Sequence, residues 1–167
     1  MTIWASRHRE ALLRFKRREW SRLVAELGHR GRGRRESGAF LLAKRRTDRR
    51  QVTKVVYLDD LDPNCMNGGI HFDGRAYSPL WDICDREGLV VVGDAHTHPG
   101  AWVEQSPIDE ANPMVARVGH VALILPHFAN RPVRTLDIGV HQYQGDAGWW
   151  SWMGVDAEKR IHVGWLM

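Results

Sequence analysis

Two histidines that lie two residues apart, close behind a strongly apolar run, constrain this chain more than any other feature. Residues 89–92 are all leucine or valine, which is typical of a buried β-strand, and His96 and His98 follow them. Because side chains alternate between the two faces of a strand, both imidazoles should point to one face, where they can bind one ion. Pro99 and Gly100 then end the strand.

A helix start follows the histidines and brings in a carboxylate. Ser106 has the position of an N-cap residue, Pro107 that of the first helical residue, and Asp109 lies in the first turn, near the positive end of the helix. Two histidines and one carboxylate, with room for a water molecule, form the ligand set of a catalytic zinc site. The sequence therefore predicts a metal centre on His96, His98 and Asp109.

The spacing of these residues resembles the signature of a known family. It matches the JAMM (MPN+) metalloprotease pattern H-[ST]-H-x7-S-x-x-D at every signature position. The resemblance implies one zinc ion per chain, bound by His96, His98 and Asp109 as metal ligands. It also implies that Ser106 is catalytic and donates a hydrogen bond to the oxyanion formed during peptide hydrolysis.

The same family has a catalytic glutamate at the head of a strand, in a pattern close to E-[ST]-G-G-[IFL]-L-L-G. Residues 36–43 follow this pattern, with alanine at positions 39 and 43 where glycine is common. The resemblance therefore implies that Glu36 is the general base, which takes a proton from the attacking water and passes it to the leaving amine. Asp94 shares the strand face of the two histidines; it either orients an imidazole or is simply solvated.

The resemblance covers roughly residues 30–145 and implies an α/β, single-domain JAB/MPN fold with a central mixed β-sheet flanked by helices. Family members with intact ligands cleave isopeptide or peptide bonds after the Gly-Gly tail of ubiquitin or ubiquitin-like proteins. Only about ten residues separate Asp109 from His120, so the chain is more similar to compact bacterial JAB peptidases than to eukaryotic members with insertions. Several of those peptidases are found beside ubiquitin-like modifiers and E1/E2-like enzymes, including in antiphage systems, so such proteins are the expected partners.

Three alternatives stay open. One is a JAB peptidase that processes a sulfur-carrier protein, which involves the same kind of bond in a different pathway. Another is a RadC-like, DNA-associated protein, whose usual metal loop H-N-H-P-S-G differs from this chain at Thr97 and at residues 100–102. The last is a non-catalytic MPN scaffold, a class that typically loses the ligands present here.

Composition narrows the other possibilities. The 167 residues, 43% of them hydrophobic, suit one compact domain with its own core. The first 50 residues hold 16 Lys and Arg against 5 Asp and Glu, yet no nucleic-acid motif accompanies them, so nucleic acid is not an expected partner. No membrane span or signal peptide is visible, and Cys65 and Cys84 lack a C-x-x-C spacing. A cytoplasmic protein with reduced thiols is therefore expected.

The chain is predicted to form one domain over residues 1–167, in three parts. Residues 1–29 are expected to form an N-terminal helix that packs on the core, and residues 30–145 the core with the metal site. Residues 146–167 form a Trp-rich C-terminal extension. Three tryptophans within residues 149–152 exceed what one strand face can bury, so core packing explains part of this cluster and a protein-binding surface is a hypothesis for the rest.

Hydrophobic periodicity and turn residues predict the individual elements. Helices are expected over residues 6–28, with a buried stripe at Trp20, Leu23, Val24 and Leu27, over residues 77–87, and from Pro107 to a break at Asn112 with a restart behind it. Strands are expected over residues 36–43, 51–58, 70–72, 89–98, 120–128, 134–144 and 161–166. His71 is expected to be structural or to face the substrate.

Overall fold

The computed structural model describes residues 11–67 and 69–165. Within these residues the chain forms eight strands and five α-helices. The strands are β1 (Leu13–Lys16), β2 (Gly38–Lys44), β3 (Val52–Tyr57), β4 (Leu89–Thr97), β5 (Val121–Leu125), β6 (Gly139–Tyr143), β7 (Trp149–Trp152) and β8 (Ile161–Gly164). The helices are α1 (Arg17–Gly31), α2 (Leu58–Leu61), α3 (Tyr77–Glu87), α4 (Pro107–Ala111) and α5 (Gly154–Arg160).

The central sheet has six strands in the order β3-β2-β4-β5-β6-β7. Its β4–β5 pair is parallel, and its other neighbouring pairs are antiparallel. β1 and β8 form a separate parallel pair. Helices pack on both faces of the central sheet, so the predicted α/β fold with a central mixed sheet flanked by helices is confirmed.

One face of the central sheet is apolar throughout. Ala39, Leu41, Ala95, Leu123 and Val140 alternate inward on β2, β4, β5 and β6, and all are at most 1% exposed. Helices α1 and α5 and the β1–β8 pair cover this face. Burial of this apolar surface provides most of the driving force for folding.

The opposite face is apolar at one end and polar at the other. Near β3, Phe40 and Leu42 pack against α2 and α3 in a second core. Further along β4 the same face carries Asp94 and His96, and on β6 it carries His141. All three are less than 10% exposed. The polar end of this face holds the candidate site.

The N-terminal helix prediction was wrong in its bounds. Residues 13–16 form β1, and helix α1 begins only at Arg17; residues 6–10 lie outside the described residues. Phe15 fits the helical stripe but is buried from a strand, because β1 gains hydrogen bonds from β8. The stripe itself is confirmed, since Trp20, Leu23, Val24 and Leu27 are all buried.

Helix α3 begins and ends at the predicted residues, and Gly88 caps it with a φ of 66°, which glycine adopts without strain. The strands predicted over residues 36–43 and 51–58 are also confirmed, within two residues at each end, as the antiparallel pair β2 and β3. The predicted strand over residues 70–72 and the helix restart after Asn112 were wrong, because both segments are irregular. In the later part of the chain, β5, β6 and β8 are shorter than predicted, and strand β7 and helix α5 were not predicted.

Two structural features bear on the surroundings of the protein, namely the length and polarity of its helices and the state of its cysteines. Within residues 11–67 and 69–165, every helix is too short or too polar to cross a membrane. Cys65 and Cys84 are both buried free thiols.

Candidate metal centre

Strand β4 brings the two predicted histidine ligands to one end of the sheet. His96 lies opposite Gly38 of β2 and Ile124 of β5. His98 lies just past the end of the strand, where its amide donates to the carbonyl of Leu125 at 2.9 Å. The exposed fractions of His96 and His98 are only 9% and 3%. The backbone pairs with β2 on one side and with β5 on the other, which holds both rings where little solvent reaches them.

Helix α4 begins as predicted and holds the carboxylate in place. Ser106 is its N-cap, with Pro107 as the first helical residue, and a capping box links Ser106 to Asp109. The Asp109 amide donates to Ser106 Oγ at 3.2 Å, while Asp109 Oδ2 accepts from the Ser106 amide and hydroxyl at 2.8 and 2.7 Å. These bonds fix the orientation of the Asp109 side chain.

The three predicted ligands converge on one point. The Nε2 atoms of His96 and His98 are 3.3 Å apart. Asp109 Oδ2 is 3.5 Å from His98 Nε2, and Asp109 Oδ1 is 3.7 Å from His96 Nε2. Tetrahedral zinc with ligand bonds of about 2.0–2.2 Å separates its ligand atoms by roughly 3.3–3.6 Å. The donor set and its spacing therefore fit a zinc ion.

The second nitrogen of His98 has a hydrogen-bond acceptor, and that of His96 lies near a carboxylate at a distance longer than a hydrogen bond. His98 Nδ1 lies 3.1 Å from the carbonyl oxygen of Trp102, whose indole stacks on the His98 ring at 4.7 Å between centroids. His96 Nδ1 lies 3.8 Å from Asp94 Oδ2. An acceptor on this side favours the proton on Nδ1 and leaves the Nε2 lone pair for a cation, as in known metal sites.

The electrostatics of the cluster favour a bound positive charge. Burial lowers the pKa of His96, but hydrogen bonds and charges of Asp109 and Asp94 outweigh burial and raise it to about 9. Burial opposes ionisation of Asp109 as well, yet hydrogen bonds from His96 and His98 hold the pKa of this carboxyl well below its usual range. The two carboxylates thus hold a proton on His96, and a divalent cation can replace that proton.

The cluster lies in a cavity of about 880 Å³ that Glu36 and Ser106 also line. Glu36 is half-buried and directly precedes Ser37, which pairs with the end of β4. The amide of Thr97 donates to the Ser37 carbonyl at 3.0 Å, and the Ser37 amide donates to Thr97 Oγ1 at 3.0 Å. This pairing carries Glu36 to the histidine end of the cavity, so all five predicted site residues border the same space.

Other parts of the cavity wall come from residues that were predicted with other roles or with none. His71 is exposed at its rim, which agrees with its exclusion from the ligand set. Trp149 also lines the cavity, and its indole N–H donates to the carbonyl of Glu110 at 3.1 Å. Trp102 and Ile108, 48% and 71% exposed, give the cavity wall an apolar part.

Sequence reasoning missed two buried histidines behind the site, His120 and His141. His141 Nε2 lies 2.9 Å from the carbonyl oxygen of Val103, and its Nδ1 lies 2.8 Å from Ser151 Oγ. Burial lowers the pKa of His141, so its neutral form ties the loop carrying Trp102 to the sheet. An isolated histidine inside an apolar strand has no spacing pattern from which this role can be predicted.

A strained turn holds the same loop from the other side. His127, Phe128 and Ala129 all have φ between 51° and 55°, a left-handed conformation that is unfavourable for residues with a Cβ atom. The amides of His127 and Phe128 donate to the carbonyls of Gly100 and His98 at 2.9 and 2.8 Å. These bonds offset part of the strain and fix the backbone at the second histidine ligand.

No family model matches the chain. It is similar to the solution structure of protein DSY2949 from Desulfitobacterium hafniense, at 17% identity and a TM-score of 0.63 over 93% of this chain and 94% of that one. It is also similar to a protein from Salinibacter ruber, at 17% identity and a TM-score of 0.53 over 86% and 90% of the two chains. AF2198, a JAB1/MPN domain protein from Archaeoglobus fulgidus, matches at 13% identity over 92% and 97% of the two chains, with a TM-score of 0.42. At 17% identity, the likenesses to the first two proteins establish the fold alone.

Proposed function

We propose that this protein is a zinc-dependent peptidase or isopeptidase of the JAMM type. It cleaves after the C-terminal glycine of a ubiquitin-like protein, either to remove that protein from a target or to mature its precursor. The observation that carries the proposal is the convergence of His96, His98 and Asp109 in a cavity that Glu36 and Ser106 also line. The sequence signature predicts these five residues, and their placement supports it.

In this proposal His96, His98 and Asp109 hold one zinc ion. When bound, zinc supplies a Lewis acid that polarises a carbonyl group and makes a water molecule more acidic. Three protein ligands leave one position open, which is typical of catalytic rather than structural zinc. The buried positions of both histidines limit competition from bulk water.

Glu36 and Ser106 have the roles of proton carrier and hydrogen-bond donor. The Glu36 carboxylate accepts a proton from the attacking water and delivers it to the amine that leaves. The Ser106 hydroxyl has one proton, and Asp109 Oδ2 accepts it at 2.7 Å. To donate to an oxyanion, Ser106 must therefore turn its hydroxyl away from Asp109. The hydroxyl can donate either to Asp109, which orients this proposed zinc ligand, or to the oxyanion, but not to both at once.

The choice of a ubiquitin-like substrate rests on the resemblance to the family. A cavity of about 880 Å³ lies within the size range of binding sites for small ligands and short extended segments.

We also propose a cytoplasmic location, where the buried thiols of Cys65 and Cys84 stay reduced. We propose as partners E1/E2-like enzymes of the same modifier system, including systems that defend bacteria against phage.

The test combines zinc content, measured by mass spectrometry, with cleavage of fusions that follow the Gly-Gly end of ubiquitin-like or sulfur-carrier proteins. Wild type is compared with Glu36→Gln and with Glu104→Gln, a matched change at an exposed glutamate outside the cavity wall. We expect one zinc per chain in all three proteins. Cleavage should fall by about 10²–10⁴-fold in Glu36→Gln alone, the usual contribution of a general base.

Two results would contradict the proposal. A chain that takes up no zinc, either when purified or on reconstitution, has no metal centre. Zinc uptake without cleavage of any of these fusions would leave the metal centre standing and refute the peptidase assignment.

A further inference from the structure

A buried carboxylate lies between two imidazoles behind the metal centre. Asp94, 4% exposed, precedes His96 by two residues on β4 and shares its strand face. Its Oδ2 faces His96 Nδ1 at 3.8 Å, and its Oδ1 lies 2.6 Å from Nε2 of His120. The chain His120–Asp94–His96 therefore leads from the core to a ligand of the proposed zinc ion.

His120 is held in this position by its backbone. It follows Gly119, whose φ of 92° suits glycine, and it directly precedes β5. Its amide donates to the carbonyl of Arg117 at 3.0 Å, and its own carbonyl accepts from the Tyr143 amide at 2.9 Å. These two bonds leave the backbone little freedom, so the imidazole has a defined direction toward Asp94.

Burial of this imidazole needs compensation. His120 is 3% exposed, and within residues 11–67 and 69–165 its Nδ1 atom has no hydrogen-bond partner. A buried polar group costs free energy unless it is hydrogen-bonded. The short bond between His120 Nε2 and Asp94 Oδ1 compensates for the burial of the imidazole, so the two residues form one hydrogen-bonded pair.

The direction of that bond follows from the chemistry of its partners. An ionised carboxylate has only acceptors, so Nε2 of His120 carries the proton and donates. The bond holds Oδ1 and thereby stops the carboxylate of Asp94 from rotating. The other oxygen, Oδ2, then stays 3.8 Å from Nδ1 of His96, longer than a hydrogen bond, where its negative charge favours a proton on Nδ1 and leaves the Nε2 lone pair for a cation.

We infer that His120 is a positioning residue for the metal centre: through Asp94 it fixes the orientation of His96 as a zinc ligand. This inference rests on the zinc site of the proposed function, but not on the identity of the substrate. His120 itself touches neither the ion nor the substrate. Its effect appears in zinc affinity, which can be measured without a cleavage assay.

The experiment measures the zinc affinity of full-length variants by competition with a chelator, with thermal unfolding of each metal-free protein as a check on the fold. We expect His120→Leu to bind zinc about 10–100-fold more weakly, the usual cost of losing a partner behind a metal ligand. His120→Gln should recover most of the affinity, because its amide can donate to the same carboxylate oxygen. His29→Leu, the same change at an exposed histidine of α1, is the matched control and should bind zinc like wild type.

Asp94→Asn keeps the shape of the side chain. This variant tests the role of the His120–Asp94 pair if His120→Leu does not fold. It should weaken zinc binding at least as much, and adding His120→Leu to it should cause no further loss, because His120 acts through Asp94. Wild-type affinity in His120→Leu, or in Asp94→Asn, would overturn the inference. Failure of wild type to bind zinc would overturn both proposals, whereas zinc binding without cleavage would refute the peptidase alone.

Discussion

The two faces of the central sheet come from the same strands but are built on opposite principles. On one face Leu41 and Leu123 are fully buried among apolar neighbours. On the other, Asp94, His96 and His141 are buried almost as deeply, and each lies against a polar or charged partner. Burial of a polar group costs free energy, which only such partners offset. The second face therefore has a well-defined geometry but contributes less to stability than the apolar face.

The strand register shows how the polar face makes room for its loop. Asp94, Ala122, His141 and Ser151 lie side by side across β4, β5, β6 and β7. Ala122 is the small member of this row, and it lines the cavity between two larger polar side chains. The next row includes Gly139, where a Cβ atom would lie 2.0 Å from the carbonyl oxygen of Val103. Small residues on this face therefore admit the loop that supports His98.

The sharpest test of the comparison uses two neighbours on β5. Leu123 and Ile124 are both 0% exposed, but Leu123 belongs to the apolar face and Ile124 lies opposite His96. Each change to alanine should lower the free energy of unfolding by about 2–5 kcal/mol, measured by urea denaturation. Only Ile124→Ala should also weaken zinc binding. An equal loss of zinc affinity in Leu123→Ala would show that the two faces are not separate in function.

Metal removal tests whether the polar face gains its stability from an ion. Zinc at a hundred times its Kd should raise the free energy of unfolding by about 2.7 kcal/mol over the chelated protein, because the unfolded chain lacks the assembled ligand cluster. Urea denaturation with zinc and with chelator measures this difference. In Asp109→Asn, which removes a charged ligand, most of the difference should disappear; an unchanged difference would mean that zinc stabilises the protein at another place.

The smallest effect is expected at the outer end of the polar row. Ser151→Ala removes the hydroxyl that lies 2.8 Å from His141 Nδ1 and should lower the free energy of unfolding by about 0.5–1.5 kcal/mol. Chemical denaturation measures this change, and Ser78→Ala, at an exposed serine of α3, is the matched control. A loss no larger than in that control would show that the neighbouring strand does not support His141.

Helices α1 and α3 could largely be predicted from the sequence, because their signals are local, whereas α5, which also covers the apolar face, was not predicted. The stripe of α1 and the Gly88 cap of α3 each lie within a few residues of the structure that they specify. The strand β1 could not be predicted in this way. Its partner β8 is distant in sequence, and Phe15 fits a helical stripe together with Leu12 as well as it fits a strand together with Leu13.

On the polar face, the signature predicted the residues that meet but not what holds them. His96, His98 and Asp109 converge as expected because a strand end and a capped helix start place them. The contacts of His120 and His141 depend on strand register across β4, β5 and β6, which single-sequence patterns do not contain. The bond between Ser106 and Asp109 was also not predicted, although its signal is local, because the two residues lie only three positions apart in the capping box.

The parallel pairing of Leu13 with Ile161 has a consequence for how the molecule is made. A ribosome releases β1 long before β8, so the core beneath the apolar face of the sheet waits for this strand until residue 164 has been synthesised. Contacts between such distant parts of a chain also slow folding, because a large loop must close before any bond forms. Until then β1 and the apolar side of α1 stay exposed, and a chain interrupted after β7 should be retained by chaperones rather than accumulate as a working fragment.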